Sequence, residues 1–207
     1  MFYKSIRNTA DSEFIEKKSR FICVLSPVSN TDEAETMLAN IRRQYPGATH
    51  YCYAWRIRYD STVMEKYNDD GEPSSTAGIP MLNVLKMQEI ENVLAVVIRY
   101  FGGTLLGTGG LVRAYIHAVI QTLERADIIV LKYSWRLRIT LDYSYYSNFQ
   151  NKCLTYFIKI TDTEFADQVI IDVWIAQDQL EKLISTLDKI TDRTALVEYL
   201  QQDFVAG

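Results

Sequence analysis

The chain has 207 residues, of which 48% are hydrophobic and 23% charged, and a net charge of −4. This is the balance of a soluble globular protein of one large or two ordinary domains. A net negative charge argues against a protein that grips nucleic acid through overall basicity, so any such surface has to be a local patch. No apolar run reaches the ~20 residues that span a bilayer. The start MFYKSIRNTADSEF has no apolar signal core, so a cytoplasmic chain without membrane contact is expected.

All four prolines precede residue 81 and eight of the nine glycines lie at or before Gly110, so the C-terminal third is composed differently from the rest. The change falls near Val130–Tyr133 and divides the chain into domains 1–130, of net charge −1, and 131–207, of net charge −3. In the first, Arg20–Ser26 reads as a strand. Asn30–Tyr45 reads as an amphipathic helix, with Asn30 as N-cap, Glu33 three residues on, and Ala34, Met37, Leu38, Ile41 and Tyr45 at helical spacing. Pro46-Gly47 stops it. Thr49–Tyr59 alternates strictly, with Tyr51, Tyr53, Trp55, Ile57 and Tyr59 on one face and His50, Cys52, Ala54, Arg56 and Arg58 on the other, the pattern of a long strand. Glu65–Gly78 reads as a loop and Met81–Met87 as a short helix behind Pro80. Val93–Arg99 is apolar enough for a strand covered on both faces. Leu111–Arg125 is expected to be a helix with a polar stripe of Arg113, His117, Gln121 and Glu124.

In the second domain, strands are expected over Ser134–Asp142, Thr155–Thr161, Val169–Trp174 and Ala195–Leu200. Helices are expected over Tyr145–Leu154 and Gln177–Lys189, the latter with Leu180, Leu183, Ile184 and Leu187 inward. The order βαββαβ is that of a ferredoxin-like split βαβ fold. Cys23, Cys52 and Cys153 are far apart, odd in number and without CxxC spacing, so reduced structural thiols are expected.

Two stretches concentrate chemistry. The first is the acidic loop Asn68-Asp69-Asp70-Gly71-Glu72-Pro73-Ser74-Ser75-Thr76-Ala77-Gly78. A tight turn at Asp70-Gly71 would splay Asp69, Asp70 and Glu72 around one point, where their oxygens could hold Mg²⁺ beside a phosphate. Ser74, Ser75 and Thr76 could instead donate to an anion, and a solvated turn is the plain alternative, since Asp-Gly is a common turn pair.

The second stretch carries an apolar strand into the glycine-dense turn Tyr100-Phe101-Gly102-Gly103-Thr104-Leu105-Leu106-Gly107-Thr108-Gly109-Gly110 and then into a helix. That order aims backbone N–H groups and a helix N-terminus at one spot, which suits an anion. The glycines also allow close backbone approach, as a crossover packed on a sheet would need. The spacing matches neither GxGxxG nor GxxxxGK[ST]. Arg99, ending an apolar strand, needs a partner: Asp69, Asp70, Glu72 or an incoming phosphate. His117 lies on a polar helical stripe. His50, beside Cys52, could be an acid–base group or a hydrogen-bonded structural histidine. No Ser-His-Asp or Cys-His signature accompanies them.

KKSRFI (Lys17–Ile22), ATHYCYAWRI (Ala48–Ile57), NDDGEPSSTAGIPML (Asn68–Leu82) and VIRYFGGTLLGTGGLVRAY (Val97–Tyr115) occur in this order over most of residues 17–125. Together they resemble the IMPACT family in its bacterial YigZ-like form. Ser74-Ser75 departs from the pattern, standing where small residues including glycine are more usual. The resemblance implies an α+β N-terminal domain like the second domain of a small-subunit ribosomal protein and domain IV of elongation factor G. It implies a ferredoxin-like C-terminal domain corresponding to domain V of that factor. It also implies kinship with eukaryotic proteins associated with translational control, which act by protein–protein competition in the pathway that senses amino-acid starvation.

The leading expectation is a non-enzymatic binding or regulatory protein linked to translation, contacting RNA, the ribosome or a protein partner. Candidate contacts are Lys17, Lys18, Arg20, Arg56, Arg58, Arg99, Tyr100, Phe101 and Arg113, since arginine with aromatics grips phosphates and unstacked bases. His50, Ser74, Ser75, Thr76, Gly102, Gly103, Gly107, Gly109 and Gly110 complete the candidate set, and no cofactor is required. The alternative is a Mg²⁺-dependent enzyme acting on a phosphorylated small molecule or nucleotide. There Asp69, Asp70 and Glu72 would hold the metal, Gly102–Gly110 would cradle the phosphate and Arg99 would clamp it. A third reading makes both motifs architectural.

Overall fold

The computed structural model describes residues 1–59 and 62–206, and within them every side chain except that of Ile158. The chain forms two compact units, Tyr3–Ile129 and Met1–Phe2 with Val130–Gly207. Both are α+β. No helix among the described residues is long and apolar enough to cross a membrane.

The first unit runs β1 (Phe2–Ile6), β2 (Ala10–Glu16), β3 (Ser19–Pro27), α1 (Thr31–Gln44), β4 (His50–Tyr59), β5 (Thr62–Asn68), α2 (Gly78–Met87), β6 (Val93–Tyr100) and α3 (Thr108–Leu123). Its main sheet has the order β2-β3-β6-β4-β5 and is antiparallel throughout. The period of two along each strand sorts side chains between two cores. Val93, Ala95 and Val97 join Phe21, Cys23, Leu25, Cys52 and Ala54 beneath α2 and α3. Leu94, Val96 and Ile98 join Ile22, Val24, Tyr53, Trp55 and Ile57 against Ala34 and Ile41 of α1. Small residues on the first face let two helices settle there, while the aromatic face receives one. β6 is central, its residues from Val93 to Ile98 having no exposure. The Asn30 side chain caps α1 by accepting from Glu33 N.

Three strands of this unit were not expected from the sequence, and each is an edge or a polar strand. β2 carries Asp11, Glu13 and Glu16 among its seven residues. It joins β3 through Lys17 and Lys18, both at positive φ (44° and 66°). β5 occupies Thr62–Asn68, correcting the loop expected from Glu65; it is solvated over most of its length and shows no apolar alternation. β1 is anchored by the parallel bridge of Lys4 to Ile90 and by Ile6 in the core.

The second unit runs β7 (Ile128–Leu141), α4 (Tyr143–Cys153), β8 (Phe157–Phe165), β9 (Val169–Ala176), α5 (Leu180–Ile190) and β10 (Leu196–Ala206). Its antiparallel order β10-β7-β9-β8 inserts β9 between β7 and β8, the split βαβ arrangement. Leu137, Ile139, Leu141, Ile171, Val173 and Ile175 pack on Phe149, Cys153, Leu183 and Leu187 of the helices. Asp142, expected to end a strand, instead caps α4 by accepting from Ser144 N at 2.8 Å.

On β9, Asp172 is 4% exposed and accepts from Arg138 (2.8 and 3.1 Å) and Arg136 (3.0 Å). The bonds from Arg138 hold its carboxyl below the usual range, against the upward push of burial. A depressed carboxyl stabilises the fold fully above the unfolded value of about 3.9, and loses that contribution as pH falls through the folded value. The stability gap between wild type and Asp172→Asn, read from urea midpoints, is therefore expected to shrink as pH is lowered from about 6 to about 2. A gap that is constant with pH would show that the carboxylate charge is irrelevant there.

Candidate functional site

The alternation that builds the cores also gathers a polar cluster. On β6, Arg99 follows Val93, Ala95 and Val97 in parity, so its side chain enters the α2/α3 side of the sheet. His50 and Cys52 on β4, and Ser19 and Phe21 on β3, share that side. Tyr115 of α3 lies over them with no exposure. Glu72, from the acidic loop, closes the cluster at 8% exposure. Its Oε1 accepts from Arg99 Nη1 at 2.5 Å and from the Tyr115 hydroxyl at 2.8 Å. Arg99 Nη2 donates to Ser19 Oγ at 3.2 Å, while its Nε is buried without a partner. The guanidinium lies over the rings of Phe21 (5.3 Å) and Phe101 (5.4 Å). His50 Nδ1 lies 2.8 Å from Asp70 O; a carbonyl only accepts, so Nδ1 carries the hydrogen. His50 Nε2 lies 3.9 Å from Glu72 Oε1.

Two groups that might be taken for nucleophiles are held neutral. Burial pushes the Cys52 thiol up to about 12, and its one S–H is shared between Asp69 O at 2.9 Å and the Tyr115 hydroxyl at 3.3 Å. Burial likewise raises the Tyr115 phenol far above its ordinary value. Both act as proton donors within the fold.

The acidic loop departs from both chemical expectations. Its turn at Asp70-Gly71 forms, with φ of 45° and 86° and Glu72 N donating to Asp69 O. Yet the three carboxylates point to separate sets of donors. Asp69 Oδ1 accepts from Ala77 N (3.0 Å) and Gly78 N (2.8 Å), and Oδ2 from Ser75 N (2.8 Å). Asp70 Oδ1 accepts from Arg42 (2.7 Å) and Oδ2 from Tyr51 N (2.7 Å). Among the described residues no group of three His, Cys, Asp or Glu is placed to hold a metal ion. The expected convergence of Asp69, Asp70 and Glu72 is thereby corrected. So is the anion cradle of Ser74, Ser75 and Thr76, because the anion that Ser75 N meets is Asp69 itself. Thr76 Oγ1 donates to Pro73 O, and Ser74 and Ser75 are exposed with their hydroxyls 3.5 Å apart. Asp69 also explains why α2 begins at Gly78, ahead of the expected Met81: it takes the amides that a helix start leaves unpaired.

The remaining candidates fall on different surfaces. Arg99 is buried and so is not an exposed contact. Arg56 and Arg58 are part-buried and paired with Glu65 and Glu91. Arg20 and Tyr100 lie on the α1 side, the Arg20 guanidinium 5.9 Å from the Tyr100 ring and bonded to Glu13. Gly102 meets the backbone of Lys18, and its N–H donates to Ser19 Oγ at 3.2 Å. Gly103 and Gly107 take positive φ (80° and 74°), while Gly109 and Gly110 lie in the first turn of α3. Lys17, Lys18, Phe101, Leu105, Arg113 and His117 are exposed around this end of the unit. Sequence reasoning passed over Tyr115 and Ser19, although strand parity places Ser19 beneath Arg99 and Tyr115 follows Leu111 at helical spacing.

The family model described as the Impact N-terminal domain matches residues 17–123, and one described as Domain of unknown function (DUF1949) matches residues 139–192. The chain is 33% identical over 190 residues to the IMPACT family member YvyE of Bacillus subtilis (strain 168), covering 92% of this chain and 87% of that protein. It is 44% identical over 110 residues to the IMPACT family member YigZ of Escherichia coli (strain K12), covering 53% and 54%. A solved chain described as the crystal structure of an hypothetical protein superposes with a TM-score of 0.62 at 27% identity, covering 97% of this chain and 98% of that one.

Proposed function

Because this chain belongs to the IMPACT family, we propose that it serves translation as a binding regulator that contacts single-stranded RNA. The contact surface is the end of the N-terminal unit formed by the β2–β3 turn, the glycine turn and the start of α3. The translational association of the family's eukaryotic members supports the first half of this reading. The second half rests on one observation: the carboxylates of the acidic loop and the Arg99 guanidinium are engaged within the fold, and unpaired cations collect at this end. Lys17, Lys18 and Arg113 have no carboxylate partner among the described residues, and exposed Phe101 and Leu105 stand nearby in the chain. Cations interleaved with apolar and aromatic groups suit a backbone of phosphates bearing unstacked bases.

Anisotropy titrations of an unstructured RNA, and sedimentation with ribosomes, over about 50–300 mM salt test this. Saturable binding is expected, with each of Lys18→Ala and Arg113→Ala weakening it several-fold and flattening the salt slope by about 0.7 per lost phosphate contact. Binding that is absent, or indifferent to salt and to both substitutions, would remove the RNA reading.

A further inference from the structure

Beside that surface, β2 and the start of α3 enclose a cleft of about 440 Å³. Phe14, Leu106 and Ala114 give it an apolar floor, and Lys17, Arg113 and His117 stand around it. Deepening the binding reading above, we propose that this cleft holds a single nucleotide, its phosphate between Lys17 and Arg113 and its base on the apolar floor.

Size is the first argument. The volume falls in the range of about 300–1,000 Å³ typical of small-molecule sites and far exceeds what a lone phosphate fills. Charge is the second. Most cations of the N-terminal unit are paired with carboxylates: Lys4, Arg7, Arg20, Arg42, Arg56, Arg58, Lys66, Lys86 and Arg99. Arg43 and Arg125 have no such partner among the described residues, but they lie in the last turn of α1 and just beyond α3, where the helix dipole favours a cation. Lys17, Lys18 and Arg113 have neither compensation. Of these, Lys17 and Arg113 both line the cleft, and Arg113 stands in the second turn of a helix whose first turn holds no acidic residue. Like charges beside the positive end of a helix repel, and an anion relieves that repulsion.

The mixed lining is the third argument. Phe14 is fixed by stacking on Phe21 (5.2 Å, 6° between planes) and by the edge-on ring of His117 at 4.8 Å. These contacts hold the Phe14 side of the lining in place before any ligand arrives. Glu16, the one carboxylate of the lining, supplies an acceptor for a sugar hydroxyl. The same chemistry is offered by a free mononucleotide and by the phosphorylated end of an RNA strand.

Calorimetric titration of the full chain with AMP, GMP, CMP and UMP, with adenosine, and with inorganic phosphate separates the contributions. At least one mononucleotide is expected to bind saturably, with nucleoside and phosphate alone each about tenfold weaker or more. Arg113→Gln and Lys17→Gln are each expected to lower that affinity about tenfold, whereas Arg43→Gln, an unpaired cation remote in the chain, leaves it unchanged. A short RNA with a 5′ phosphate that displaces the mononucleotide, where its 5′-hydroxyl twin does not, identifies a strand end as the source; failure of both to compete identifies the free nucleotide. Absence of saturable mononucleotide binding, or an equal loss in Arg43→Gln, overturns the proposal. RNA binding that persists alongside such a result leaves the broader binding reading intact. Nucleotide binding without any RNA binding leaves the cleft and removes that reading.

Discussion

Glu72→Gln is expected to lower the stability of the protein by about 3–5 kcal/mol, although it preserves side-chain volume. Arg99 cannot lose its proton in a protein. It is 4% exposed, pressed between Phe21 and Phe101, with Glu72 as its one carboxylate partner. Glutamine can still accept from Arg99 and Tyr115, so what the substitution removes is the counter-charge alone. A buried guanidinium left without one bears its full desolvation penalty. Arg99→Met in the Glu72→Gln background is expected to recover a large part of the loss, since the uncompensated charge then disappears. Denaturant midpoints of the wild type, the two single variants and the double variant measure both effects. A loss below about 1 kcal/mol for Glu72→Gln would mean that water reaches the pair and screens it.

This cluster shows what could and could not be read from the sequence. The strict alternation of Thr49–Tyr59 and the apolar run Val93–Arg99 announce β4 and β6, because a strand buried on one or both faces must display its period. The same period of two places Arg99, two residues after Val97, on the inner face. Glu72 was one of three carboxylates open to Arg99. Its selection depends on Asp69 being engaged by the amides of Ser75, Ala77 and Gly78, and Asp70 by Arg42 and Tyr51 N. Those bonds join residues 6 to 28 positions apart, where no periodicity operates.

The missing elements have a related cause. β1, β2 and β5 lie at edges and carry charges on their solvated faces, so they lack the apolar alternation that marks a strand. The early start of α3 at Thr108 was hidden inside a run read as a turn, because glycines give no periodic signal. In the second unit all six elements were anticipated in order, since each presents apolar residues to one shared core. The boundaries slipped by up to six residues: β7 begins at Ile128 rather than Ser134 and β10 runs to Ala206 rather than Leu200, while Asp142 leaves the strand to cap α4.

The glycine turn yields the other large expected effect. An ideal Cβ on Gly102 would lie 2.0 Å from Lys18 C and O and 2.5 Å from Ser19 N. All three are backbone atoms, so no side-chain rotation relieves the overlap, and the β3–β6 ladder ending at Arg20↔Tyr100 holds the two chains together there. Gly102→Ala is therefore expected to cost about 3 kcal/mol or more, at the upper end of overpacking. It is also expected to disturb the turn that carries Lys17 and Lys18, and so to weaken the proposed RNA binding without removing either lysine. Gly103 provides the contrast. Its added Cβ would meet nothing within 4 Å, but its φ of 80° is one that L side chains rarely adopt. Gly103→Ala is expected to cost about 1 kcal/mol through backbone strain alone. Thermal or denaturant unfolding of the two variants distinguishes close approach from conformational need as the reason for glycine. Equal losses would mean that the Lys18 backbone yields, and that the contact between the turn and β3 is looser than the geometry requires.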